Sequence, residues 1–169
     1  AGYILGTGSD TSAIVGAVLE IIVALAGIST AVVLFKVLKK QNETLAIGLI
    51  AARILESSSI FLGVAFLLTI VTLHQTSAGT EYVAISNTLA LLYDRVFLLS
   101  QSFMPAICDM LLGYLLYQSR LVPRSLSIIG MVGGPLLLLG YFAVMFGLLG
   151  QHDGLAGLSA IGVAVFEFS

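Results

Sequence analysis

Long apolar runs separated by short polar breaks make up this chain. Four runs reach the roughly 20 residues that a helix needs to cross a bilayer: Ser12–Leu38, Thr44–Leu73, Val96–Tyr117 and Leu126–Leu149. A fifth runs from Leu155 to Ser169 and, at about 15 residues, is too short to span. The breaks fall at 39–44, 74–94, 118–125 and 150–154. This pattern predicts an all-α, polytopic transmembrane helix bundle with four complete spans and a truncated fifth. It also predicts a single transmembrane domain over 1–169, without a soluble module. The fifth run stops inside apolar sequence and Ala1 is not an initiator Met, so truncation at both ends is expected. Residues 1–11 lack the basic segment, apolar core and cleavage site of a signal peptide.

Local signals refine the pattern. In the long break, EYVAISNTLALLY (81–93) carries apolar residues at helical spacing. It reads either as an interfacial helix or as an early start of the third span. Tyr82 and Tyr93 suit a membrane interface. Pro105 inside the third span lacks a backbone donor and predicts a kink near Gln101. Ser100, Gln101 and Ser102 stand ready to satisfy the freed carbonyl. Gly130 and Gly134, next to Gly133 and Pro135, form a Gly-x-x-x-Gly pair that lets helices approach closely. Such a pair packs within the bundle or forms a homodimer contact.

Composition agrees with the pattern. The chain is 59% hydrophobic and 9% charged, against about 25% charged residues in an ordinary soluble domain. Its mean hydropathy is +1.10. A soluble protein of this size would lack the polar surface it needs, so the lipid bilayer is the expected solvent. A net charge of −2 with seven Lys plus Arg argues against nucleic-acid binding. A single cysteine excludes an internal disulfide framework and a multi-Cys metal site. Lys36, Lys39, Lys40, Arg120 and Arg124 flank two of the breaks. By the positive-inside rule, 39–44 and 118–125 are then cytoplasmic, and 74–94 and 150–154 lie outside.

The candidate chemistry lies in ionisable residues within the apolar runs, each costing at least ~2.5–3.5 kcal/mol near a helix centre. They are Glu20, Arg53, Glu56, Asp109 and Glu167. At ~1.5 Å per residue through a ~30 Å core, all five fall in one layer, in the middle to inner half of the membrane. Arg53 and Glu56 are spaced i, i+3, so they share a helix face with Ser57. One guanidinium pairs with one or two carboxylates and cannot neutralise four. The count alone predicts that at least one acid of such a cluster holds a proton at neutral pH. The layer reads in two ways. It is polar glue that sets helix packing, or it lines a site for a proton, a cation or a polar headgroup.

Other chemistry is poorly supported. His74 and His152 sit at the edges of outer breaks without clustered ligands, so no metal site is expected. Cys108 reads as a small packing residue. Ser57, Ser58 and Ser59 read as bonded to carbonyls one turn back. No nucleophile elbow or intramembrane base accompanies them, which argues against an enzyme. No cofactor is specified by any motif.

The segments GAVLEIIVALAGISTAVVLFKVLKKQNETLAIGLIAARILE (16–56), YDRVFLL (93–99), LLGYLLYQSRLVPRSLSIIG (111–130) and VFEFS (165–169) occur in order along nearly the whole chain. With their A-A-R-x-x-E and Y-x-S-R-L-V-P-R stretches, they resemble a family of small bacterial multi-pass membrane proteins, domain of unknown function 4386. The resemblance implies about six helices in the full pattern and a bacterial inner membrane. It places Glu20, Arg53, Glu56 and Glu167 on positions of matching residue type. Arg95 and Gln101 depart from the pattern at the start of the third span. The resemblance implies no activity. Two expectations remain: a membrane protein with a proton, cation or headgroup site in its charged layer, or an accessory subunit of a larger membrane complex.

Overall fold

The computed structural model describes residues 9–76, 80–150 and 154–167. Every regular element among them is a helix: α1 Asp10–Leu38, α2 Glu43–Thr76, α3 Thr80–Leu98, a π turn Leu99–Phe103, α4 Met104–Ser119, α5 Arg124–Met145, α6 Gly154–Ser159 and α7 Ile161–Glu167. Four of the resulting rods, with α3, the π turn and α4 as one, are long and apolar enough to cross a membrane. Many large apolar side chains point outward, Val33 and Leu139 among them, so the surface of the bundle is made for lipid.

α1 packs on α2 through one narrow stripe. Its buried residues are Ala17, Ala24, Ala31 and Leu38, one every seven positions. That repeat keeps a single seam facing the partner helix, and alanine lets the two backbones approach. Ser57 ties the seam by donating its hydroxyl to the Ala24 carbonyl at 2.9 Å. Ser58 and Ser59 bond the carbonyls of Ile54 and Leu55 in their own helix, as expected, so only Ser57 crosses. Asn42 starts α2 by accepting the Leu45 amide on its side chain at 3.0 Å, a capping arrangement that satisfies an otherwise orphaned donor.

The third span starts early, one of the two readings of 81–93. Residues 80–94 are helical and continue into the rest of the rod, and 77–79 lie outside the described residues. No Gly or Pro interrupts 80–98, and this segment packs along α2, with Tyr93 and Val96 against Gly63. Helical spacing backed by a packing surface therefore extends the helix. The Tyr93 hydroxyl donates to Glu20 on α1. Tyr82 has no described side-chain surroundings.

The predicted irregularity before Pro105 is present as the π turn. The Met104 amide reaches back five residues to the Leu99 carbonyl, one more than in an α-helix. Ser100 donates to the Phe97 carbonyl at 3.3 Å, upstream of the π turn.

α5 ends at Met145, earlier than the expected Leu149. Gly147 adopts φ +73°, and the amides of Gly147 and Leu148 bond the carbonyls of Val144 and Ala143 at 3.1 and 2.8 Å. This is a Schellman closure, for which glycine at the left-handed position is the usual signal. The break 150–154 correspondingly gives up Gly154 to α6. The fifth apolar run is broken at Ala160 into α6 and α7, which lie on α5. Gly133 faces the backbone of Gly162 and Val163, Gly130 faces the Phe166 ring, and Gly134 faces the Ala106 carbonyl and Met110 on α4. Both members of the Gly-x-x-x-Gly pair therefore sit against helices of the same chain.

Candidate functional site

Arg53 is the hub of a charge cluster built by three helices. Its Nη1 donates to Glu56 Oε2 at 2.9 Å, one turn along α2. Its Nη2 lies 3.5 Å from Asp109 Oδ1 on α4 and 3.5 Å from Glu167 Oε1 on α7. Gly27 of α1 faces the arginine: a Cβ there would make ordinary van der Waals contact with Arg53 Cδ at 3.7 Å and Nη1 at 3.9 Å. The acids thus surround the guanidinium, and burial is graded across them. The side chain of Asp109 is 0% exposed, whereas that of Glu167 is 40% exposed and forms the open edge.

Asp109 is the least satisfied member. Neither of its carboxyl oxygens makes a hydrogen bond; its charged neighbour is the Arg53 nitrogen at 3.5 Å. A buried carboxylate ordinarily accepts two or more hydrogen bonds, because losing water without replacement costs several kcal/mol. The charge count is equally unbalanced, with three carboxyls around one guanidinium. Cys108 adds a fifth member: its thiol donates to Glu56 Oε2 at 3.4 Å.

Four of the five candidate residues therefore meet: Arg53, Glu56, Asp109 and Glu167. Glu20 does not join them. It is held by Tyr93, nearly two turns beyond Gly27 along α1, toward the other membrane surface. Depth counted from an assumed helix end puts Glu20 in the same layer, but the packed helices set it about 10 Å along the axis from Gly27, the α1 residue beside Arg53. Cys108 packs in the buried core as expected, and its thiol contact to Glu56 is additional to that role. The Tyr93 partner of Glu20 is not legible from sequence, because helical spacing within one run does not reveal which residue of another helix it meets.

A second polar contact closes the far ends of α1 and α2. His74 Nδ1 lies 2.7 Å from Asp10 Oδ1, and Gln75 donates to Asp10 Oδ2 at 3.1 Å. It clamps helix ends and does not reach the cluster. Among the described residues no group of three or more His, Cys, Asp or Glu side chains is arranged to hold a metal ion.

Two cavities lie among the helices, and neither is lined by a cluster residue. One of about 290 Å³ is an open apolar groove lined by Leu45, Met110, Leu111, Tyr114 and Met131. The other, of about 140 Å³, lies beside the π turn.

These features define a multi-pass helical membrane protein with an Arg-centred acidic cluster buried among its spans. The chain belongs to the family described as Domain of unknown function (DUF4386), whose family model matches residues 3–169. No curated protein and no solved structure matches it.

Proposed function

We propose that this membrane protein binds and exchanges a proton at the Arg53–Glu56–Asp109–Glu167 cluster, with Asp109 as the holder. The observation that carries this reading is the Asp109 carboxyl, wholly buried and with neither oxygen hydrogen-bonded. A proton removes one surplus negative charge without needing space. A metal cation is disfavoured because the guanidinium already occupies the centre of the acid set, within 3.5 Å of all three carboxyls. Glu56, held at 2.9 Å, is the fixed partner of the arginine, and Glu167, at the open edge, is the exchange partner. Lys36, Lys39, Lys40, Arg120 and Arg124 orient the α1–α2 and α4–α5 turns to the cytoplasm by the positive-inside rule.

The accessory-subunit reading has less support, since the glycine face of α5 is already taken up by α4 and α7.

Infrared spectroscopy of the reconstituted protein tests the proposal. The wild type at neutral pH should show the carbonyl band of a buried, protonated carboxyl, and Asp109→Asn should remove it. A wild type without such a band overturns the proposal. A band that survives both Asp109→Asn and Glu56→Gln does so as well.

A further inference from the structure

The 140 Å³ cavity lies between the π turn, α5 and α6, and its polar lining is unusual for membrane depth. Gln101, Ser102, Tyr141 and Ser159 bring an amide and three hydroxyls to it, with Leu137 and Ala160 completing the wall. The π turn also puts irregular backbone on the cavity wall, and among membrane spans irregular backbone is tolerated where it is buried in protein or lines water. The cavity has room for several waters at ~30 Å³ each.

Its position relative to the charge cluster follows from helical register. Ala106, Leu137 and Val163 form a buried apolar layer, joined by Ala160. On α4, Ala106 and Asp109 are three apart, and on α7, Val163 and Glu167 are four apart. Residues three or four apart stack on one helix face. Both helices therefore place the apolar layer one turn, about 5.4 Å, from the cluster. Leu137 and Ala160 belong both to that layer and to the cavity wall, so the layer lies between the two.

We infer that this cavity is a water vestibule leading to the charge cluster, and that the Ala106–Leu137–Val163 layer is the one-turn barrier closing it. The vestibule opens toward the membrane surface opposite the Lys-rich α1–α2 turn. This inference rests on the cluster being a proton site, since it assigns the path by which the proton arrives. Leu137 belongs to both cavity wall and barrier, so movement of one side chain would join the two compartments.

Thiol accessibility in sealed proteoliposomes tests it, in a Cys108→Ala background so that only the introduced cysteine reacts. The probe is a small membrane-impermeant methanethiosulfonate, applied to each side in turn. Ser102→Cys should react only from the side opposite the Lys-rich turn, and Ala106→Cys should be protected from both. Adding Leu137→Ala to Ala106→Cys should raise its modification rate at least tenfold from that same side. Ser102→Cys in the Leu137→Ala protein serves as the folding control and should keep its one-sided reactivity.

Three results overturn the inference: an inert Ser102→Cys, an Ala106→Cys that reacts without Leu137→Ala, or one that stays protected with it while the control remains one-sided. If the folding control fails, Leu137→Val replaces Leu137→Ala under the same criteria. The thiol pattern reports water and the infrared band reports the proton. A missing band with the thiol pattern intact removes the proton site, and the reverse removes the vestibule.

Discussion

Replacing Arg53 by methionine is the most informative single perturbation, because three carboxyls lose their common counter-charge at once. Arg53 holds Glu56 at 2.9 Å and lies 3.5 Å from Asp109 and Glu167. Breaking a buried ion pair by removing one partner costs about 3–5 kcal/mol. The escape is one further proton on the cluster. Protonating a carboxyl of ordinary strength, near 4, at pH 7 costs about 1.4 kcal/mol for each of roughly three pH units, or about 4 kcal/mol. The two routes agree, so Arg53→Met should lose about 4 kcal/mol at pH 7.

The pH dependence carries a definite sign. The folded variant binds one proton more than the folded wild type, while the unfolded chains bind equal numbers, so its stability relative to wild type rises as pH falls. The slope relative to wild type is about 1.4 kcal/mol per pH unit. Equilibrium unfolding in mixed detergent micelles between pH 5 and pH 7 measures both quantities. A loss under 1 kcal/mol with the same pH slope as wild type would refute the reasoning, since the acids would then not depend on the arginine.

Other substitutions probe the packing. In Gly133→Ala the new Cβ would lie 2.9 Å from the Gly162 carbonyl carbon and 3.0 Å from the Val163 nitrogen, so α5 and α7 must part, at about 1–3 kcal/mol. Gly48→Ala meets nothing within 4 Å and should be neutral or stabilising by up to about 1 kcal/mol; thermal melts of the pair should move in opposite directions. Ser57→Ala removes the bond to Ala24 across the α1–α2 seam and should cost about 0.6 kcal/mol by the same unfolding assay. Arg120 closes α4 at φ 56°, a left-handed position that disfavours any side chain, so Arg120→Gly should raise the melting point by the equivalent of about 1 kcal/mol. Gly147→Ala, at φ +73°, should lower it by a similar amount.

The sequence by itself determined the solvent and the scaffold. Runs of about 20 apolar residues with 9% charge leave no alternative to a helical membrane protein. It also determined where the third span would be irregular, since Pro105 lacks a donor whatever surrounds it. Arg53 and Glu56 were legible as a pair because i, i+3 spacing is a property of the helix alone.

Tertiary structure decided what spacing does not encode. Depth counted from assumed helix ends puts Glu20 and Asp109 in one layer, but the relative shift of the packed helices separates them along the axis: Glu20 goes to Tyr93, and Asp109 to Arg53. Spacing in 81–93 left an interfacial helix and an early third span both open, and the surface that α2 offers decides for the early start at Thr80. The Gly-x-x-x-Gly pair left its partner open, and only the fold shows α4 and α7 against it. Most of all, the buried layer of Ala106, Leu137 and Val163 draws one residue from each of α4, α5 and α7, and spacing within any one run does not encode which residues of the other two it meets.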